Sequence, residues 1–189
     1  MKRNKIISAA ILLSRIFILL CAVLFLTFTI TTIYWHFNAD AFANVEVTNS
    51  FKAGFGVNDI RVYPVNTPKP ADGIFLSELN YGMIYWLYLR GAFFFTLTVL
   101  ILRKIILILR SINTLQTFYQ DNIKHFQAIA QYAFLAFLLS CFNFSYLNGN
   151  SEISFKFAFT PLAFALGALV LAEVFKEGKQ LLEDQNLII

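Results

Sequence analysis

Apolar residues in this chain fall into four long runs, each closed by short polar segments, and the spacing predicts a helix for each run. The first, Ile6–Tyr34, is interrupted only by Arg15. At 1.5 Å per residue it reaches about 43 Å, against about 30 Å of bilayer hydrocarbon. Arg15 can therefore sit near the headgroups while Ile16–Tyr34 crosses and Tyr34-Trp35 meets the far interface. A signal-peptide core has about 7–15 apolar residues. This run is nearly twice that, so it reads as an uncleaved first span.

The second run starts at Tyr81 or Ile84 and reaches Leu102 or further. Its one internal charge is Arg90, flanked by Tyr85, Trp86 and Tyr88 as an aromatic belt would flank an interfacial anchor. The alternative pairs Arg90 with Glu78 or Glu152. Past Leu102 come Arg103 and Lys104, yet Ile105, Ile108, Leu109, Ile112 and Leu115 keep a helical stripe. Helix two is thus expected to project beyond the bilayer, ending in the polar segment Thr114–Asn122.

Asp121 or Asn122 can N-cap a third helix over Ile123–Phe144. Only Ala128 onward is apolar enough for lipid, and Gln127 and Gln131, four apart, are expected to point into the bundle. A short loop, Ser145–Ser154, leads to the fourth run, Phe155–Phe175. Pro161 should kink it near its start, and the pairs Ala163/Gly167 and Ala168/Ala172 allow a neighbouring helix close. Val174, Phe175, Leu181 and Leu182 then form a stripe among charges, which predicts an amphipathic tail.

Between the first two runs, residues 36–80 have soluble character. Val45–Thr48 and Ile60–Tyr63 alternate as half-buried strands do, with Gly54 and Gly56 between them. Pro64, Pro68 and Pro70 forbid regular structure afterwards. The segment is either a small β-hairpin, which two strands alone could barely sustain, or a partly ordered loop.

Composition sharpens this picture. Hydrophobic residues make up 58% of the 189 positions and charged ones 14%, against about 25% charged in a soluble domain. Mean hydropathy is +0.65. The formal net charge of +4 does not point to nucleic acid, because the basic residues lie at the ends of apolar runs. Lys2, Arg3, Lys5, Arg15, Arg103, Lys104, Arg110, Lys124, Lys176 and Lys179 share one side if both termini are cytoplasmic, which is ten of the 15 Lys and Arg. That arrangement obeys the positive-inside rule. Cys21 and Cys141 lie inside apolar runs, where a thiol acts as a small apolar side chain.

The expectation is an all-α membrane protein with four transmembrane helices, N-in/C-in, forming a single four-helix domain over 1–189. The spans are about 6–35, 81–109, 123–144 and 155–175, with an extracytoplasmic loop 36–80 and a cytoplasmic tail 176–189.

Catalytic chemistry is not signalled. His36 and His125 lie at opposite ends of the predicted bundle and neither has ligands at metal spacing. There is no nucleophile elbow, HExxH or phosphate-binding glycine loop. No carboxylate falls in mid-span, as a coupled transporter usually requires. The expectation is a protein that is not an enzyme and holds no cofactor or metal.

Two segments carry a family likeness. Thr117–Phe126 is similar to a joint of phenylalanine, three residues, asparagine and a basic–hydrophobic helix start. Leu171-Ala172-Glu173-Val174-Phe175-Lys176-Glu177-Gly178, with Leu181, Leu182, Glu183 and Asp184 after it, resembles the ending of the same small bacterial membrane family, catalogued as domain of unknown function 2975. Leu187-Ile188-Ile189 departs from that family's usual Leu-Thr-Val. The resemblance implies four helices with both termini inside, over essentially the whole chain. It implies no activity, but members are often encoded beside a small helix-turn-helix regulator.

The function expected is therefore that of an inner-membrane regulatory or sensory protein. Its cytoplasmic face, from Arg103 to Lys124 plus the tail from Glu173, would bind a small cytosolic helix-turn-helix partner. Candidate interaction residues are Arg90, Asn122, Glu173, Glu177 and Gly178. The same apolar stripes could instead lie on the membrane surface or on each other. The alternatives are a small transport or channel subunit using the Gln127/Gln131 face and Arg90, and a structural subunit of a larger complex. The bilayer itself is the first partner, a homo-oligomer stays open, and no direct nucleic-acid binding is expected.

Overall fold

Helix α1 runs unbroken from Lys2 to Phe37 in a computed structural model of the chain. The structure describes residues 2–48, 59–62, 75–113, 120–147, 150–155 and 157–186. Arg15 is exposed on α1 and, as a good helix former, does not interrupt it. Ser14, Thr29, Thr31 and Thr32 turn their hydroxyls back onto carbonyls four residues earlier, at 2.8–2.9 Å. That satisfies polar groups which would otherwise face an apolar surround.

Three further helices follow: α2, Tyr81–Asn113; α3, Gln120–Cys141; and α4, Phe159–Asn186. Strands β1, Val45–Thr48, and β2, Asp59–Val62, pair antiparallel, with Val45 opposite Val62. Strands β3, Phe142–Leu147, and β4, Asn150–Phe155, do the same, with Phe142 opposite Phe155.

Among the described residues, three helices are long and apolar enough to cross a membrane: Lys5–Phe37, Tyr81–Ile112 and Phe159–Asp184. On α1 the side chains of Leu12, Leu19, Leu26 and Ile30 are exposed, as are Leu166, Leu169 and Val170 on α4. Apolar surface this extensive is covered by lipid in a folded protein, so this is a membrane protein. The expected fourth span, α3, is present as a helix but is less apolar than these three, because of its polar first turns from Gln120 to Gln127.

The chain groups into two compact units. The first comprises Met1–Val23, Phe94–Leu139 and Phe159–Ile189. Its core is Ile108 of α2, Ile129 and Ala130 of α3 and Ala168 of α4, with Ile101, Ile105, Ile112 and Phe126 packed against it. Alanines at 130 and 168 let helix backbones approach closely. The stripe that continues past Arg103 thus faces α3 and α4, and helix two keeps its hydrogen bonds through those charges to Asn113.

The second unit comprises Leu24–Phe93 and Ser140–Ala158. Its core is Trp35, Leu79, Met83 and Ile84, with Ala39, Phe42, Leu76 and Leu87 around it. Trp35 is 3% exposed, and its indole N–H donates to the Leu76 carbonyl at 2.9 Å, as a buried indole must find a partner.

Several expectations need correction. Phe142–Phe144 is strand, not the end of helix three, and the expected loop Ser145–Ser154 lies within the β3–β4 pair. The strands win because Phe142, Phe144 and Tyr146 alternate with Asn143 and Ser145, a period of two. Helix four begins at Phe159 rather than Phe155, which places Pro161 in the first turn. There the missing N–H costs no helical bond, so no kink is required. Asn122 is inside α3, not its cap. Gln127 and Gln131 are exposed, while Ile123, Ala130, Ala133 and Phe137 are the buried face. Of the small-residue pairs, Ala168/Ala172 is buried whereas Ala163/Gly167 is exposed, and Gly167 has open space at its Cβ position. Gly54, Gly56, Pro64, Pro68, Pro70, residues 114–119 and 187–189 lie outside the described residues.

Candidate functional site

The polar ends of α3 and α4 form an open groove of about 330 Å³ in the first unit. From α3 come Gln120, Ile123, Lys124 and Gln127; from α4 come Lys176, Lys179, Gln180 and Glu183. Helical spacing explains the set: 120, 123, 124 and 127 share one face of α3, and 176, 179, 180 and 183 share one face of α4. Ile123 is buried beneath. Phe126 and Phe175, with ring centroids 4.9 Å apart, hold the two helices together beside the groove.

Two ion pairs lie along α4. Lys176 Nζ is 2.7 Å from Glu173 Oε1, and Lys179 Nζ is 3.4 Å from Glu183 Oε1. Both are exposed pairs of neighbouring turns, which contribute little to stability. They leave the groove with three ammonium groups, one carboxylate and three side-chain amides, suited to an acidic or hydrogen-bonding surface. His125, before the apolar part of α3, has its pKa lowered by burial and by Lys104, with Asp121 opposing.

Asn122 anchors this region from inside. It is 1% exposed, and its amide donates to Ser111 Oγ at 2.8 Å, joining α2 to α3. The hydrogen bond ties its side chain to α2 within the unit. Glu173 and Glu177 are exposed and Gly178 is half-buried. Arg90 is half-buried and belongs to the second unit. Glu78, one suggested partner for Arg90, accepts at 3.5 Å from the Phe75 backbone N–H. The side chain of Glu152 lies outside the described residues.

The sequence pointed to both segments, but not to the meeting of these lysines and glutamines in one groove. Its signal was a polar i, i+3, i+4, i+7 set at the start of α3 matched by a second set on α4. No group of three or more His, Cys, Asp or Glu that could hold a metal occurs among the described residues. Cys21 and Cys141 are free thiols.

A second polar cluster occupies the second unit. Tyr85 Oη and His36 Nδ1 are 2.8 Å apart, and the His36 ring stands edge-on to Tyr81, at 5.5 Å between centroids. Tyr88 packs on Phe28 and lies 3.3 Å from Thr29 Oγ1.

No curated protein and no solved structure matches the chain. A family pattern does match, over residues 62–189 rather than the whole length. That stretch contains α2, α3 and α4 and every residue of the α3–α4 groove. It covers well over half of the sequence, so the chain belongs to the family described as "Protein of unknown function (DUF2975)".

Proposed function

We propose that this is a non-enzymatic protein of the bacterial inner membrane whose α3–α4 groove docks a small cytosolic protein. In this reading α3 is the fourth crossing. Its polar first turns stand at the cytoplasmic interface with both chain termini, and its apolar part from Ala128 to Cys141 enters the bilayer. Residues 36–80, with the β1–β2 pair, then face outward as a small hairpin and sense a signal there or in the bilayer.

The observation that carries the reading is the groove itself: a concave, solvent-open surface bearing Lys124, Lys176 and Lys179 at the polar ends of two helices. Such a surface suits a helix with acidic and amide side chains. The family likeness adds the kind of partner, a helix-turn-helix regulator that the membrane protein holds or releases. Direct contact with nucleic acid is not part of this function.

The test is capture of that regulator by the full-length protein in detergent, compared with the Lys124→Glu/Lys179→Glu variant. Loss of capture with unchanged helicity is the expected result, and equal capture by both proteins would sink the idea. Truncation after Glu173 is a less clean probe, because Phe175 packs on Phe126. The transport reading loses its main support, since Gln127 and Gln131 are exposed rather than lining an interior face.

A further inference from the structure

A groove of about 250 Å³ opens in the second unit where α1 ends and α2 begins, lined chiefly by Thr29, Thr32, Ile33, His36, Tyr85 and Tyr88. Its hydrogen-bonding character follows from counting hydrogens. Thr29 donates its hydroxyl hydrogen to the Phe25 carbonyl and Thr32 donates its own to the Phe28 carbonyl. Between Tyr88 Oη and Thr29 Oγ1, 3.3 Å apart, Tyr88 must therefore be the donor. All three oxygens are left with lone pairs only.

At the mouth the balance reverses. If Tyr85 donates to His36 Nδ1, the imidazole keeps Nε2–H; if Nδ1–H donates to Tyr85, the phenol keeps its hydrogen. Either tautomer leaves one outward donor. No lysine, arginine, aspartate or glutamate is among the lining residues. Phosphate, carboxylate and ammonium headgroups find no counter-charge here, and stripping them of water for such a site is costly.

The complementary ligand is neutral, accepts one hydrogen bond near the mouth and donates one deeper in. The volume lies just under the range of about 300–1,000 Å³ that encloses a whole drug-sized molecule. It suits a headgroup whose tail leaves the groove past the exposed apolar lining residues Ile33 and Phe37. Both helices are long and apolar enough to sit in a bilayer, so a membrane-dissolved molecule reaches the groove laterally.

We propose that this groove binds the neutral, hydroxyl-bearing headgroup of a single membrane lipid, of the quinol or acylglycerol kind. The proposal does not depend on the α3–α4 docking function, and neither result decides the other.

The experiment is native mass spectrometry of the full-length protein in detergent with three probes: a short-chain quinol, dioctanoylglycerol and dioctanoyl phosphatidylglycerol. One-to-one binding of either neutral probe, with the anionic lipid unable to displace it, is expected; which neutral probe binds identifies the source. Thr32→Val keeps shape and removes one acceptor, and should weaken binding about three- to ten-fold, the usual worth of one hydrogen bond. His36→Leu/Tyr85→Phe removes the mouth donor and should weaken it further. Binding of neither neutral probe, equal displacement by the anionic lipid, or unchanged affinity in Thr32→Val overturns the proposal.

Discussion

Asn122 on α3 donates its side-chain amide to Ser111 Oγ on α2 across 2.8 Å, in a position 1% exposed to solvent. The pair ties the extension of α2 to the start of α3 and so supports the groove beside it. Asn122→Leu deletes this hydrogen bond to the half-buried Ser111 hydroxyl, which costs about 1 kcal/mol. Thermal unfolding in detergent should show the loss. The double variant Ser111→Ala/Asn122→Leu should lose less than the two single variants added together.

Gly91 of α2 packs closely against Phe28 of α1 within the second unit. A Cβ placed there would lie 2.7 Å from Cε1 of the Phe28 ring, which is itself stacked on Tyr88 at 5.6 Å. Gly91→Ala should therefore destabilise by about 1–3 kcal/mol as overpacking does, despite alanine's better helix propensity. Combining it with Phe28→Leu should recover part of that loss. A melting temperature unchanged in Gly91→Ala would contradict the close approach.

Trp35 and Trp86 differ in surroundings, at 3% and 37% exposure. The Trp86→Phe protein, with Trp35 alone, should emit at shorter wavelength than the Trp35→Phe protein. Trp35→Phe should also destabilise the second unit, because it leaves the Leu76 carbonyl without its indole donor.

His125 has its pKa lowered first by burial and then by Lys104. A base with a depressed folded pKa favours the neutral form in the fold. Its contribution is fully present above the ordinary histidine value of about 6.5 and is lost as pH falls below that, through the lowered folded value. The melting temperature should drop between pH 7.5 and 5.5, and His125→Gln should flatten that drop. An identical pH profile in His125→Gln would refute the assignment.

Glu173 and Lys176 form an exposed pair, so Glu173→Gln should leave the melting temperature unchanged. Any effect of that substitution on regulator capture would then report on docking rather than folding.

Membrane character and the positions of the long helices were legible in the sequence, because they depend on local hydropathy summed over about 20 residues. The continuation of α2 through Arg103-Lys104 followed from the stripe at Ile105, Ile108 and Ile112, which a helix displays whatever packs on it. The ending from Leu171 carried the family likeness in the same one-dimensional way. Directions within the bundle were not legible. Gln127 and Gln131 share a face by periodicity alone, but whether that face turns inward depended on Ala130, Ala133 and Phe137 fitting against neighbouring helices. Asn122 offered itself as a helix cap, and its buried position pairs it instead with Ser111 on α2. The run through Phe144 read as the end of helix three. Pairing with Asn150–Phe155 decided for strand, since ladder hydrogen bonds come from another segment of chain. Sequence determined which segments shun water; tertiary contacts determined which polar side chains were turned inward and which were left to line the grooves.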